Sequence, residues 1–211
     1  MAIRVPPGRA GRLWLLRRLD VAGRGADVLD QKRRTLLREQ QRLADRLVET
    51  AAAWEQKARV AAEWNARAWT LAGPRRLRLA GTQLGRPAEL SLERRNALGV
   101  VFPTTATVRL GQAPDFVALG GGASITLSAR AHADALAAAA AYAAAHAAHS
   151  AIGAELAATT RRLRAIERRW IPAHQAALHE LELRLDQSEL EDTIRVRWAA
   201  ARRSMSSGGP M

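Results

Sequence analysis

The residues of this sequence that could do chemistry are a few histidines, a run of carboxylates and one glycine cluster. His146 and His149 stand three apart, so two imidazoles could share a helix face, but no Cys, Asp or Glu close by completes a metal shell. His179-Glu180 opens like the His-Glu-x-x-His zinc motif, yet position 183 is Leu. Gly120–Ser124, ahead of a helical run, has the makings of an anion nest, but no Gly-Lys-Ser/Thr accompanies it and no phosphate loop is read. Glu180, Glu182, Glu189, Glu191 and Asp192 could act as general acids. They are interleaved with Arg184, Arg195 and Arg197 at i,i+4-type spacings, which reads instead as a solvated polar face. Cysteine is absent, which excludes disulfides, thiolate metal sites and thiol nucleophiles. The expectation is a non-catalytic chain with no cofactor and no metal.

The elements that carry these residues are set by apolar spacing. Ile152, Leu156, Thr159, Leu163, Ile166 and Trp170 alternate four- and three-residue steps, a coiled-coil seam. The seam continues through His174, Leu178, Leu181 and Leu185, with an extra four-residue step at Pro172 that marks a stutter. Pro172 lacks a backbone donor and clashes with the carbonyl of Arg168, so the helix is expected to kink or unwind locally there. A second seam runs through Leu15, Leu19, Leu29, Leu36, Leu43 and Leu47 and onward to Leu71. Over sixty-odd residues such a helix would span about 90 Å, longer than a compact domain of this size is wide. Gly23 and Gly25 inside it are weak spots for helix formation and are read as a close helix approach.

The expected fold is all-α dominated: a long antiparallel two-helix coiled coil with a small irregular head between the helices. The expected organisation is an irregular arm over 1–11, a first coiled-coil helix over 12–72 ending at Gly73-Pro74, a head over 73–123, a second helix over 124–203 capped by Ser124, and a flexible tail over 204–211. In the head, Pro87–Asn96 could hold a short helix. Leu98–Phe102 and Thr105–Leu110, flanking Pro103-Thr104, could pair as a hairpin, and Val100, Val101, Phe102, Val108, Leu110, Phe116 and Val117 give the head something to bury. The alanine-rich Ala129–Ala148 favours helix by propensity and permits close packing. Folding back would bring both termini to one tip.

The formal charge of +13 raises nucleic acid, an anionic membrane face and acidic protein as partners. Nearly all the basic charge is Arg, interleaved with acids along the helices, so nucleic acid is not expected as the natural partner. No apolar run is long enough to span a membrane, and the short Leu13–Leu16 run followed by Arg17 and Arg18 does not make a secretory leader, so a cytoplasmic chain is expected. The six Trp divide into Trp14 and Trp198 near the shared tip, Trp54, Trp64 and Trp69 in the first helix, and Trp170 in the seam.

These residues resemble a known family. RRLRAIERRWIP is similar to the C-terminal signature of the D subunits, the central axles of V-type and archaeal-type rotary ATPases and ATP synthases, with Arg161, Arg162, Ala165, Glu167, Ile171 and Pro172 on its pattern. Arg164 stands where that family usually has Asn, and Ile166 where it has Leu. The N-terminal run resembles the same family at Leu13, Leu16, Ala22, Arg24, Gly25, Leu29, Lys32, Arg33 and Leu36, with Arg34 replacing an acid.

The resemblance implies an axle that transmits torque between a membrane ion-driven rotor ring and a hexamer of catalytic A and nucleotide-binding B subunits. It implies two further partners, the small F-type subunit of such complexes and the C-type adaptor of the rotor ring, and contact with the membrane only through the complex. A hexamer-facing tip would then include Arg12, Trp14, Arg17, Arg18, Arg195, Arg197 and Trp198. Two rivals are a flagellar or type III export ATPase stalk and a basic coiled-coil nucleic-acid binder, the latter expected to lose affinity steeply with salt.

Overall fold

The computed structural model describes residues 3–82, 87–111 and 122–206. Helix α1 runs Gly8–Thr82, a hairpin of β1 (Glu89–Ala97) and β2 (Val100–Arg109) follows, and α2 (Gly122–Ala165) continues through a π-helical turn, Ile166–Trp170, into α3 (Ile171–Ser206). The helices follow from composition: Ala, Leu and Arg dominate, and such side chains lose little rotamer freedom in a helix. Gly11 admits the chain that leads into α1, since a Cβ there would lie 1.9 Å from the Pro6 carbonyl oxygen.

α1 passes beyond Gly73. That glycine leaves helical geometry (φ 79°, ψ 160°), and Pro74, whose fixed φ suits a first helical position, lets helix resume to Thr82. A glycine-proline pair here makes a kink where it might have made an end. Gly23 and Gly25 correct a further expectation: a Cβ on either meets nothing within 4 Å, so neither marks a close helix approach among the described residues. Gly153 is where one occurs, its absent Cβ 3.1 Å from Gln40 Nε2.

The contacts fall into two compact units, a terminal one drawing on the chain up to Gln31 and from Thr159 on, and a central one spanning Lys32–Ala158. In the central unit Lys32 pairs with Glu155 (2.6 Å), Trp54 stacks on Tyr142 (5.2 Å) and Lys57 pairs with Asp134 (3.3 Å). Partner numbers fall as α1 numbers rise, so the helices are antiparallel. The terminal unit has the same sense, with Arg9 on Glu189 and Arg12 on Glu182, both at 2.8 Å.

The central core joins Leu36 and Leu43 of α1 to Ala148 and Ile152 of α2, with Phe102 of β2 inserted among them. Ala61, Ala68, Ala144 and Ala145 are buried as well, which is the use made of the alanine-rich stretch: small side chains let two backbones approach. The hairpin lies on this core through Ala97, Val100 and Phe102.

The hairpin itself is placed differently from expectation. Pro87–Asn96 is not helical; Glu89–Ala97 is a strand paired with Val100–Arg109. Leu90 and Leu92 alternate with polar neighbours at the strand period, and cross-strand partners outweigh the helical leaning of Glu, Arg and Ala. The turn is Leu98-Gly99, both with positive φ (54° and 86°), with Gly99 N–H donating to Asn96 Oδ1 at 3.1 Å. Pro103-Thr104 lies within β2, where the register shifts opposite Glu93/Arg94, an irregularity that tolerates a residue without a ladder donor. Phe116, Val117 and Gly120-Gly121 lie outside the described residues.

Candidate functional site

The seam residues differ in how deeply they are held. Leu15, Leu36, Leu43, Ile152 and Leu163 are buried, and Leu19, Leu29, Leu47, Leu156, Ile166, Trp170, Leu178, Leu181 and Leu185 are half-buried. Thr159, the polar member, is fully buried. The buried members hold two helices together, and the half-buried ones keep part of their surface open.

The signature residues sit around a distortion in the second helical run. At Ile166–Trp170 the hydrogen bonding widens, the Ile171 N–H reaching Ile166 O five residues back, and ordinary α-helix resumes at once. Two causes meet here. Pro172 offers no N–H and crowds the carbonyl four residues earlier. The seam also takes consecutive four-residue steps, Ile166 to Trp170 to His174 to Leu178, and each overshoots a full turn by about 40° at 100° per residue. One residue spent in a widened turn returns that accumulated lead. Arg161, Arg162, Glu167 and Pro172 are exposed at this level and Ile171 is half-buried. Of the N-terminal signature, exposed Arg24 pairs with Asp20 at 2.9 Å, Lys32 pairs with Glu155, and Gly25 and Arg33 are half-buried.

The residues expected at a tip do not form one cluster. Trp14, Arg17 and Arg18 come together with Trp170, while Arg195, Arg197 and Trp198 stand on α3 beyond Glu189. Arg12 is tied to Glu182, and Arg195 to Glu191 and Asp192 within its own helix. From Asp186 to Arg203 every residue is exposed, including Leu190 (64%), Ile194 (54%), Val196 (66%) and Trp198 (72%). α1 begins at Gly8 and its Arg9 already reaches Glu189, so α3 runs on past the end of α1. An exposed apolar helix of this kind is a surface that expects company.

Sequence spacing had not signalled the aromatic group in the terminal unit. The Arg18 guanidinium lies 4.6 Å from the centre of the Trp14 ring and 6.0 Å from that of Trp170, and Trp170 stacks on His174 with centroids 3.5 Å apart. His174 is buried, and its Nδ1 donates to the Trp170 carbonyl at 2.9 Å, since a carbonyl only accepts. Each half is an i,i+4 pair visible in the sequence; what joins the halves is the antiparallel register.

The residues considered for chemistry are accounted for otherwise. Glu180 pairs with Arg184, Glu182 with Arg12, Glu189 with Arg9, and Glu191 and Asp192 with Arg195. His146 is exposed beside the Tyr142 ring at 6.1 Å, His149 is half-buried and His179 exposed. Among the described residues no three His, Cys, Asp or Glu side chains group as metal ligands would.

Comparison with known proteins agrees in kind and in extent. Residues 13–201 match the family model described as the D subunit of ATP synthase. The chain is 30% identical over 207 residues to the D subunit of the V-type ATP synthase of Anaeromyxobacter sp. (strain Fw109-5), covering 95% of this chain and 94% of that one. It is 26% identical over 209 residues to the D subunit of the A-type ATP synthase of Thermococcus gammatolerans, covering 98% of each, and 25% identical over 200 residues to that of Halobacterium salinarum, covering 93% and 89%.

Proposed function

Because the chain belongs to the family of ATP synthase D subunits, non-catalytic components of V/A-type ATP synthases, we propose that it is the central axle of such a complex, carrying torque between an ion-driven rotor ring and the ATP-processing subunits. The observation that supports this most is the run of α3 from Asp186 to Arg203, with apolar residues set between its charges and exposed along its whole length. An isolated chain gains nothing from leaving Leu190, Ile194 and Trp198 in water. Enclosed by a sleeve of other subunits, the same helix would be covered while remaining free to turn, because α1 begins at Gly8, level with Glu189, and accompanies α3 no further.

Torque transmission also asks that the two helical runs not slide on each other. The buried seam residues and the cross-helix pairs Lys32–Glu155, Lys57–Asp134, Arg9–Glu189 and Arg12–Glu182 resist that. The expected partners are the A and B subunits of the hexamer around α3, a small F-type subunit, and the C-type adaptor of the rotor ring. No helix among the described residues is long and apolar enough to cross a membrane, so the membrane would be reached through the complex. The test is capture of the full-length chain from its native cells under mild conditions. Two ATPase-type subunits in equal amounts with a small third partner is the expected result; nucleic acid alone, lost at high salt, would overturn the axle.

A further inference from the structure

Between α1 and the π-helical turn the terminal unit carries an open cleft of about 760 Å³, with Trp14 and Trp170 as walls, Leu13, Val21 and Ile166 as apolar lining and Arg17 and Arg18 at its edge. In a chain where aromatic residues are only 4% of the total, two indoles on one cleft are a concentration of contact area. The surroundings are strongly basic. From Arg161 to Trp170 five arginines stand against the single Glu167, and among the described residues neither these five nor Arg17 makes an ion pair. Arg18 is spent on the indole faces, which holds the walls in place and leaves Arg17 to receive a charge.

We propose that this cleft is a socket for an acidic protein segment that carries one apolar anchor side chain, the anchor packing on the apolar lining of Leu13, Val21 and Ile166 beside the indoles and a neighbouring carboxylate lying on Arg17. The source of the segment, a loop of the subunits that surround the axle, rests on the reading of function above; the chemistry of the socket does not. Protein fits better than nucleic acid because each ring already carries a partner on a flat face that a stacking base would compete for. Trp170 is covered by His174 at 3.5 Å and Trp14 by Arg18 at 4.6 Å. Leu13, Val21 and Ile166 add aliphatic surface to the cleft, suited to a Leu or Phe side chain.

The test uses the full chain and a capped synthetic peptide in which a central Phe is flanked by Asp and Glu, followed by anisotropy of a dye on the peptide. Trp14→Ala should weaken binding by about tenfold or more, as loss of a buried aromatic anchor does. Arg17→Gln, an exposed change that leaves the helix intact, should weaken it by about fivefold and flatten its salt dependence. Arg130→Gln, an equal loss of charge in the central unit, should leave binding within about twofold. Replacing the central Phe by Gly should cost as much as Trp14→Ala. Equal losses for Arg17→Gln and Arg130→Gln, undiminished binding of the Gly peptide, or displacement by an oligothymidylate of equal charge would each overturn the socket. Capture from cells separates the two readings. If the wild-type chain recovers ATPase subunits and Arg17→Gln recovers them undiminished, the socket is wrong and the axle stands; if the wild type recovers none while the peptide results hold, the socket stands without the axle.

Discussion

Gly25 shows how a single residue can mean different things in sequence and in structure. It belongs to the N-terminal run that resembles the family's, and a glycine in mid-helix costs about 1 kcal/mol relative to alanine, which suggests a backbone approach worth that cost. In the folded chain a methyl group at this position meets nothing within 4 Å. Gly25→Ala is therefore expected to stabilise the isolated protein by about 1 kcal/mol, a rise of roughly 2–4 °C in Tm for a chain of this size. A lower melting temperature would mean that the residue is held in a conformation alanine resists. Leu98 is the converse case, a bulky residue with positive φ in a two-residue turn where Asn or Gly is the usual occupant. The strain is tolerated because Ala97 and Val100 on either side are fixed against the core.

Among the elements, the π-helical turn has two sufficient causes, and they make different predictions. If Pro172 alone forces it, Pro172→Ala should let ordinary α-helix run through and rotate everything downstream by about 100°. If the phase of the seam demands it, the widened turn stays, because without it Leu178, Leu181 and Leu185 would leave the contact face. The second effect is the larger, since it concerns three half-buried leucines at once, each worth on the order of 1 kcal/mol or more. Pro172→Ala is thus expected to raise stability by about 1–3 kcal/mol from helix propensity while the Trp170–His174 stack survives. Intrinsic fluorescence would report this: a red shift of Trp170 emission, read in a variant with the other tryptophans replaced by Phe, would show that the proline holds the turn.

For the whole molecule the deciding property is charge. A net +13 on 211 residues is not evenly committed. Arg9, Arg12, Arg24, Arg42, Arg67, Arg184 and Arg195 are in ion pairs with acids of the same chain. Arg197 and Arg202, on the part of α3 that runs past α1, make none among the described residues. Neutralising these two arginines removes no ion pair among the described residues, so replacing Arg197 and Arg202 with Gln should leave Tm within about 2 °C. In an assembled, reconstituted complex the same double variant should weaken coupling between ATP hydrolysis and ion pumping. Unchanged ATP-driven pumping would count against α3 as a surface that works against the sleeve.

The sequence by itself determined the two helical runs, their antiparallel pairing and the position of the flaw at Pro172, because heptad spacing is a local pattern that survives without coordinates. The resemblance in two motifs in the right order was legible for the same reason. The tertiary structure alone decided the hairpin register, since Glu89–Ala97 is a strand only by virtue of its partner Val100–Arg109. It also decided that Trp14 lines a cleft with Trp170 rather than standing with Trp198, which depends on where α1 begins against α3. Local propensity fixes what a segment is able to be; which side chains meet across two helices depends on their register, and the Arg9–Glu189 and Arg12–Glu182 pairs show the one this chain adopts.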